Sequence, residues 1–384
     1  MTTAITAAEL LAPTGRIADP VLLFEDGYIV TAGPRDAVPV PPGVRTIDFP
    51  GAVLAPAFID LHIHGAAGYD VMEGKPEGLR KMASFLARHG VGSFLATTVT
   101  AELDVLVGAV ERIAEQIDQW DGNGTAVPFG IHLEGPCISM ERRGVHPESY
   151  IVNPTPELFD RLHKAAGKYL RLITIAPELP GSLDVIREAA RRGVKVSLGH
   201  TNGFAKDAVA AIEAGASHAT HTFNAMRPLD HRNPGVLGEI LDNNNLSAEI
   251  IADGVHVDPT VVDLFLRCKG NERAVLVTDS ISAAGMPDGT YKLGSFEVTV
   301  HGLKCEWQGR LAGSVLTLDR AVRNVMEFSG WDLRDSVQLA SANPARVIGD
   351  QNRGRLEAGA RADIAVLSTR GEVLASFVGG IPSA

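Results

Sequence analysis

The stretch Ala57-Phe58-Ile59-Asp60-Leu61-His62-Ile63-His64 reads as a short apolar strand that finishes in two histidines. Seven more short apolar runs follow it, giving eight candidate strands: Ala57–Leu61, Ser93–Thr97, Pro128–Leu133, Arg171–Ile175, Val194–Leu198, Ser217–His221, Ala248–Ala252 and Ala274–Thr278. Stretches of helical pattern lie between most of them, among them Glu77–Arg88, Leu103–Ile117, Leu183–Arg192 and Ala205–Ala214. Strand and helix in alternation is the mark of βα units and a parallel sheet. Gly90, Gly193 and Gly215 stand just past three of these helices, where a left-handed residue ends a helix well. Eight is the number of strands that closes a barrel. The expected fold is α/β, a (β/α)8 TIM-like barrel.

Outward from the barrel, the two chain ends look different. Residues 1–53 read as short strands with turns at Glu25-Asp26-Gly27 and Ala32-Gly33-Pro34. Near the other end, Gly359-Ala360-Arg361-Ala362-Asp363 reads as a turn and Ile364–Leu367 as a strand. Residues 1–53 and 348–384 are therefore expected to join in one small β-sandwich domain, leaving 54–347 for the catalytic barrel. No internal repeat or low-complexity linker interrupts the pattern, and Asn243-Asn244-Asn245 reads as a loop.

Composition narrows the function. The 384 residues carry 35 Lys+Arg against 46 Asp+Glu, a net charge of −11. That balance argues against nonspecific nucleic-acid binding, which depends on basic side chains neutralising phosphates, but it leaves room for a local pocket that binds one phosphate. Cys137, Cys268 and Cys305 form no CxxC pair, so neither a disulfide framework nor a cysteine zinc site is indicated. The N-terminal residues lack the basic start of a signal peptide, and no apolar stretch approaches the ~20 residues of a membrane helix. The expectation is a cytoplasmic protein that works without a membrane or nucleic acid.

The chemistry-bearing residues gather at the expected strand ends. Alternate residues of a strand share a face, so His62 and His64 can reach one ion. Taken alone, such a pair is more often two ordinary polar residues. Glu134 follows the third strand, His200 the fifth, His221 ends the sixth, and Asp279 follows the eighth. These are the C-terminal ends, where barrel active sites assemble. Six metal-capable side chains on five strand ends are hard to obtain by chance, and imidazole with carboxylate suits zinc or iron(II). Some neighbours stay open. His132 and His218 are ligands, donors behind the ligands or satisfied core histidines, the last two being the commoner cases. Asp60 is a ligand, a partner to one, or a strand-end hydrogen-bond acceptor. Asp279 could simply cap a loop, although no other acid at the barrel end is so well placed.

An HxH after strand one, histidines after strands five and six and an aspartate after strand eight resemble the amidohydrolase superfamily. The motifs His132-Leu133-Glu134-Gly135-Pro136, Gly199-His200-Thr201-Asn202, Phe223-Asn224-Ala225-Met226, Asn233-Pro234-Gly235, Ala252-Asp253-Gly254-Val255-His256-Val257-Asp258 and Leu311-Ala312-Gly313-Ser314 narrow the resemblance to the N-acetylglucosamine-6-phosphate deacetylases, from about Ala55 to Leu367. The resemblance implies hydrolysis of the amide to glucosamine 6-phosphate and acetate, with a divalent metal as cofactor. Zinc would come first and iron(II) second, at one or two ions per subunit. Glu134, His200 and His221 would hold the principal ion. His62 and His64 would hold a second, with Glu134 bridging and Asp279 nearby as a further ligand. Asp279 would be the general base and then the acid, and His146 would bond the acetyl carbonyl. Asn224, the backbone at Ala225, Arg232 and His256 would bind the sugar phosphate. Arg232 and His256 would come from the neighbouring subunit of a homodimer.

Two departures stand out. Cys137 occupies a place where the family usually has a large apolar residue, and is either an inert thiol or one that lines a mobile loop as a candidate substrate contact. Ala57 stands where glycine is common. Two rival readings remain: an amidohydrolase acting on another N-acyl or cyclic amide, and a non-catalytic sugar-phosphate-binding relative. Against the second, none of the six ligands or the base has been lost.

Overall fold

The structure is a computed structural model that describes residues 2–122 and 124–383. Eight parallel strands run in sequence order, each beside the next: β1 (Phe58–Ile63), β2 (Val91–Thr98), β3 (Val127–Glu134), β4 (Leu170–Ile175), β5 (Lys195–Leu198), β6 (His218–Ala219), β7 (Ser247–Ile250) and β8 (Ala274–Leu276). All eight expected strands are present. The sixth is the shortest, because the chain leaves the sheet at Thr220 rather than continuing to His221. At least one helix follows each strand, from Pro76–Arg88 after β1 to Leu318–Ser329 and two shorter helices after β8. Val, Ile, Leu and Phe from both layers form one continuous core, with Phe58, Phe94, Phe159 and Phe265 among its fully buried side chains. Gly90, Gly193 and Gly215 all take positive φ, as expected at helix ends.

The seam between β1 and β8 closes the ring and carries the site. His62 O accepts the Asp279 amide at 2.9 Å, and Ser280 O accepts the amides of His64 and Gly65 at 2.8 and 3.0 Å. Asp60 is buried across this seam. Its carboxylate accepts the Thr278 hydroxyl at 2.6 Å and the His62 amide at 3.3 Å. Asp60 therefore joins strands, and burial raises its pKa to about 7.

The chain ends pair into one further sheet. Ile364–Leu367 lies antiparallel to Arg45–Pro56, which runs parallel to Thr3–Ala12. Ile5, Leu22, Phe24, Leu54, Ile364 and Phe377 pack on one of its faces as a second core. Between β8 and its helix lies an element absent from the sequence reading, an antiparallel four-stranded sheet of Gly289–Leu293, Phe296–His301, Lys304–Trp307 and Arg310–Leu311. Its alternating exposed and buried residues supply a small core of Leu293, Val298, Val300 and Cys305.

Gly65 sits on the seam with backbone close on both sides. A Cβ there would fall 2.3 Å from Tyr69 O and 2.7 Å from Ser282 N, both of them backbone atoms that cannot swing away. Gly65→Ala is expected to lower the unfolding free energy by about 1–3 kcal/mol, the scale of overpacking. Denaturant titration checks this, and a loss below about 0.5 kcal/mol, typical of neutral surface changes, would show that the seam can yield.

Candidate functional site

Each metal-capable side chain sits at or just beyond the C-terminal end of a barrel strand. His62 lies within β1 and His64 just after it, and Glu134 ends β3. His200 and His221 each come two residues after their strands, and Asp279 comes three after β8. His200, His221 and Asp279 have φ of 47°, 25° and 49°, a left-handed backbone that turns the chain out of the sheet at the residue whose side chain must point inward.

The six side chains converge. Glu134 Oε1 lies 3.1 Å from His200 Nε2, 3.0 Å from His221 Nε2 and 3.3 Å from His62 Nε2. His64 Nε2 lies 3.2 Å from Glu134 Oε2 and 3.1 Å from Asp279 Oδ1. Two imidazole pairs meet nitrogen to nitrogen, His62 with His64 at 3.2 Å and His200 with His221 at 3.1 Å.

Tautomers decide what these contacts mean. Carbonyl oxygens can only accept, so His64 Nδ1 donates to Thr97 O (3.1 Å) and His200 Nδ1 to Arg142 O (2.9 Å). His62 Nδ1 donates to the Glu249 carboxylate at 3.1 Å. Neutral imidazoles held in this way present lone pairs at Nε2. Those lone pairs face one another and two carboxylates. Acceptors packed so closely need protons or a cation between them, and imidazole nitrogen with carboxylate oxygen is a donor set that zinc or iron(II) takes readily. The residues therefore fit a divalent metal.

His146 is different. Its Nδ1 accepts the Thr100 amide N–H at 3.3 Å and lies 2.8 Å from the Thr100 hydroxyl. A backbone N–H can only donate, so the proton of neutral His146 is on Nε2, which lies 3.4 Å from Glu134 Oε2. Although His146 clusters with Glu134 and His200, it faces the cleft as a hydrogen-bond donor, with no lone pair there to offer an ion.

The electrostatics suit a cation at this cluster. Burial disfavours a charge on His62, yet Glu134 and Asp279 hold its pKa well above the ordinary value. Burial likewise opposes protonation of His64, but hydrogen bonds to Asp279 and Glu134 raise its pKa to about 9. Asp279, despite burial, is held at about 2 by His62 and His64, and Glu134 is held well below the usual range by His62 and His200. Burial lowers His200 to about 4 and His132 to about 3.

A cleft of about 250 Å³ opens over the cluster, lined by His146, Asn224, Ala225, His256, Leu293 and Phe296 among others. A larger cavity of about 570 Å³ lies beside Pro56 and Arg353, ahead of β1. Volume is a poor guide here, since the converging groups are all at the smaller cleft. His256 Nδ1 bonds Asp253 Oδ2 at 2.7 Å, and against burial that carboxylate raises its pKa.

The structure corrects two expectations about these residues. His256 lies in the cleft of its own chain, because Asp253 accepts the amides of Val255 and His256 at 2.8 Å and folds the loop after β7 inward. Cys137, expected as a candidate substrate contact, is buried in the barrel core outside the cleft lining, and burial pushes its thiol up to about 12. Arg232 is exposed on a turn and does not line its own chain's cleft. The open cases settle as well. His218 Nε2 bonds Glu249 Oε1 at 3.1 Å, and His132 Nε2 bonds Thr174 Oγ1 at 2.8 Å, so both are buried hydrogen-bonded groups behind the cluster.

Sequence reasoning missed Glu249, Thr97 and Thr100. Glu249 left a signal, since a charge within Ala248-Glu249-Ile250-Ile251-Ala252 demands a buried partner. The two threonines left none, because their role depends on which strand lies next to which.

The chain matches the amidohydrolase family over residues 53–383. It is 40% identical to N-acetylgalactosamine-6-phosphate deacetylase of Escherichia coli O157:H7, covering 96% of each chain. It is 37% identical to N-acetylglucosamine-6-phosphate deacetylase of Bacillus subtilis (strain 168), covering 93% of this chain and 91% of that one. A solved structure, N-acetylglucosamine-6-phosphate deacetylase from Pasteurella multocida, superposes with a TM-score of 0.94 at 31% identity, covering 100% of both chains. Among the described residues no helix is long and apolar enough to cross a membrane.

One titration follows from this geometry. A group with a raised pKa stays protonated below that value, so in metal-free protein His64 holds its proton up to about pH 9. An ion needs that lone pair, so binding must expel the proton. Calorimetric titration of zinc into metal-free protein at pH 7.5, repeated in buffers of different ionisation enthalpy, is expected to show release of about one proton or more. Affinity should weaken as pH falls below 9. A heat independent of buffer would mean that the ion binds elsewhere.

Proposed function

The chain belongs to the amidohydrolase family, among the N-acetylglucosamine-6-phosphate deacetylases, and from this we propose that it hydrolyses N-acetylglucosamine 6-phosphate to glucosamine 6-phosphate and acetate. The observation that carries the reading is the ring of converged lone pairs beneath a cleft whose wall presents a hydrogen-bond donor, His146 Nε2–H. Glu134, His200 and His221 would hold one divalent ion, and His62 and His64 a second beside Asp279, with Glu134 between them. Zinc is the first choice and iron(II) the alternative. Such an ion supplies Lewis acidity and makes water acidic enough to lose a proton near neutral pH.

The protein's own groups do the rest. Asp279 is ionised at neutral pH, so its carboxylate can take a proton from the attacking water. The same carboxyl then returns the proton to the departing nitrogen, without which an amine leaves poorly. His146 donates to the acyl oxygen as charge develops there. Asn224, the Ala225 backbone and His256 line the space left for the sugar and its phosphate. Leu293, Phe296 and Leu311 give the cleft an apolar wall from the inserted sheet.

No lysine or arginine lines the cleft among the described residues. A phosphate dianion needs more positive charge than His256 provides, which supports a homodimer in which Arg232, exposed here, reaches the partner's cleft. The three cysteines are free, in keeping with a reducing cytosol.

The 40% identical relative is named for the galacto epimer, so both epimers belong in the test. Acetate release should be fast from N-acetylglucosamine 6-phosphate and poor from the unphosphorylated sugar. Faster turnover of N-acetylgalactosamine 6-phosphate would reassign the substrate, and cleavage of neither would favour another amide. Asp279→Asn is expected to lower kcat at least ~10²-fold, the usual scale of general acid–base catalysis, while metal content stays the same. Metal loss would make Asp279 chiefly a ligand. Arg232→Ala should lower kcat/KM by about 10- to 150-fold on the phosphorylated sugar alone, the equivalent of one charged hydrogen bond. An equal loss on the unphosphorylated sugar would remove Arg232 from phosphate recognition.

A further inference from the structure

Glu249 is fully buried in β7, in the interior of the barrel. Among the described residues its ion-pair partners are the imidazoles of His62 and His218, with no lysine or arginine. A buried carboxylate without a strong cationic partner is costly, and an apolar residue would fill a barrel interior more cheaply. Glu249 therefore needs a reason to be there.

Its contacts supply one. Oε2 accepts His62 Nδ1–H at 3.1 Å and the backbone N–H of His221 at 3.1 Å. Oε1 accepts His218 Nε2–H at 3.1 Å. All three donors lie on β1, or on β6 and the residues just after it, the two segments that bring His62, His64 and His221 to the cluster. A carboxylate on one ring nitrogen fixes the tautomer, aims the ring and makes the opposite nitrogen a better donor to a metal. The ring of His62 is further confined by His132, whose ring packs edge-on with centroids 4.7 Å apart.

We propose that Glu249 is a positioning residue that holds the His62 lone pair toward the cluster and so sets the affinity of the ion at His62 and His64. This rests on the reading that those two histidines hold a second ion. The tighter position depends on it less, since His221 meets Glu249 only through its backbone amide. The role is exerted through His62, and Glu249 has no part in the reaction itself.

The test is a zinc titration of metal-stripped protein against a chromophoric chelator. Wild type is expected to bind two ions. Glu249→Gln, of equal size, should bind the weaker ion at least ~10-fold less tightly, the usual effect of removing a ligand's hydrogen-bond partner. The tighter ion should keep its affinity. The effect should vanish when His62 is already replaced by Asn, whereas a general loosening of the barrel would persist in that background and would weaken both positions. Should Glu249→Gln fail to fold, Glu249→Asp, too short to reach His62, serves in the same titration with the same expectation. Two ions bound by wild type and by the variant with equal affinity would overturn the inference alone. A wild type that binds a single ion would overturn the two-position reading and the inference together.

Discussion

At the mouth of this barrel, acceptors are forced against acceptors. Imidazole lone pairs and two carboxylates meet at 3.0–3.5 Å, in a buried setting where like charges repel more strongly than in water. Left free, these groups would turn apart. The fold prevents this by fixing the far nitrogen of three of the imidazoles: His64 on Thr97 O, His200 on Arg142 O and His62 on Glu249. The hydrogen bonds across the β1–β8 seam serve the same end, since they hold the segments bearing His62, His64 and Asp279 at one height. The ring then has a standing demand for positive charge, which gives the site its affinity for a cation.

A division of labour follows. The barrel supplies the rigid ring, and the loops after its strands supply part of the cleft wall above it. His146 and His256 belong to such loops, each steered by a local hydrogen bond: Thr100 to one imidazole, Asp253 to the other. The inserted four-stranded sheet contributes an apolar wall from outside the barrel altogether. A wall built on a separate element can change shape without disturbing the register of the ring, which suits a scaffold whose relatives are named for different sugar epimers.

The sequence made the barrel legible because each strand is a short apolar run with a helix after it, and the two periodicities differ enough to be told apart. His62, His64, Glu134, His200, His221 and Asp279 were legible because each sits at or just past a strand end, so knowing the strands was knowing their common face. Glu249 escaped notice because it lies within a strand, where its function depends on facing His62 across the barrel. The inserted sheet escaped because residues 289–311 pair only locally, around a few half-buried positions, and carry no long apolar run. The location of His256 was misjudged for another reason. A two-residue hydrogen-bonded turn at Asp253 decides whether that side chain points inward or outward, and strand periodicity has no bearing on such a turn.

The backbone at three of the converging residues has a wider consequence. His200, His221 and Asp279 sit in left-handed conformations that cost an ordinary side chain about 1–2 kcal/mol each. In a connecting loop without duties, glycine or asparagine would relieve that strain. The scaffold thus runs a standing deficit at its most functional positions, offset by the large core that surrounds them. Drift toward stability alone would pull these sites toward glycine, and with each such step the protein would become a sturdier barrel and a poorer trap for metal.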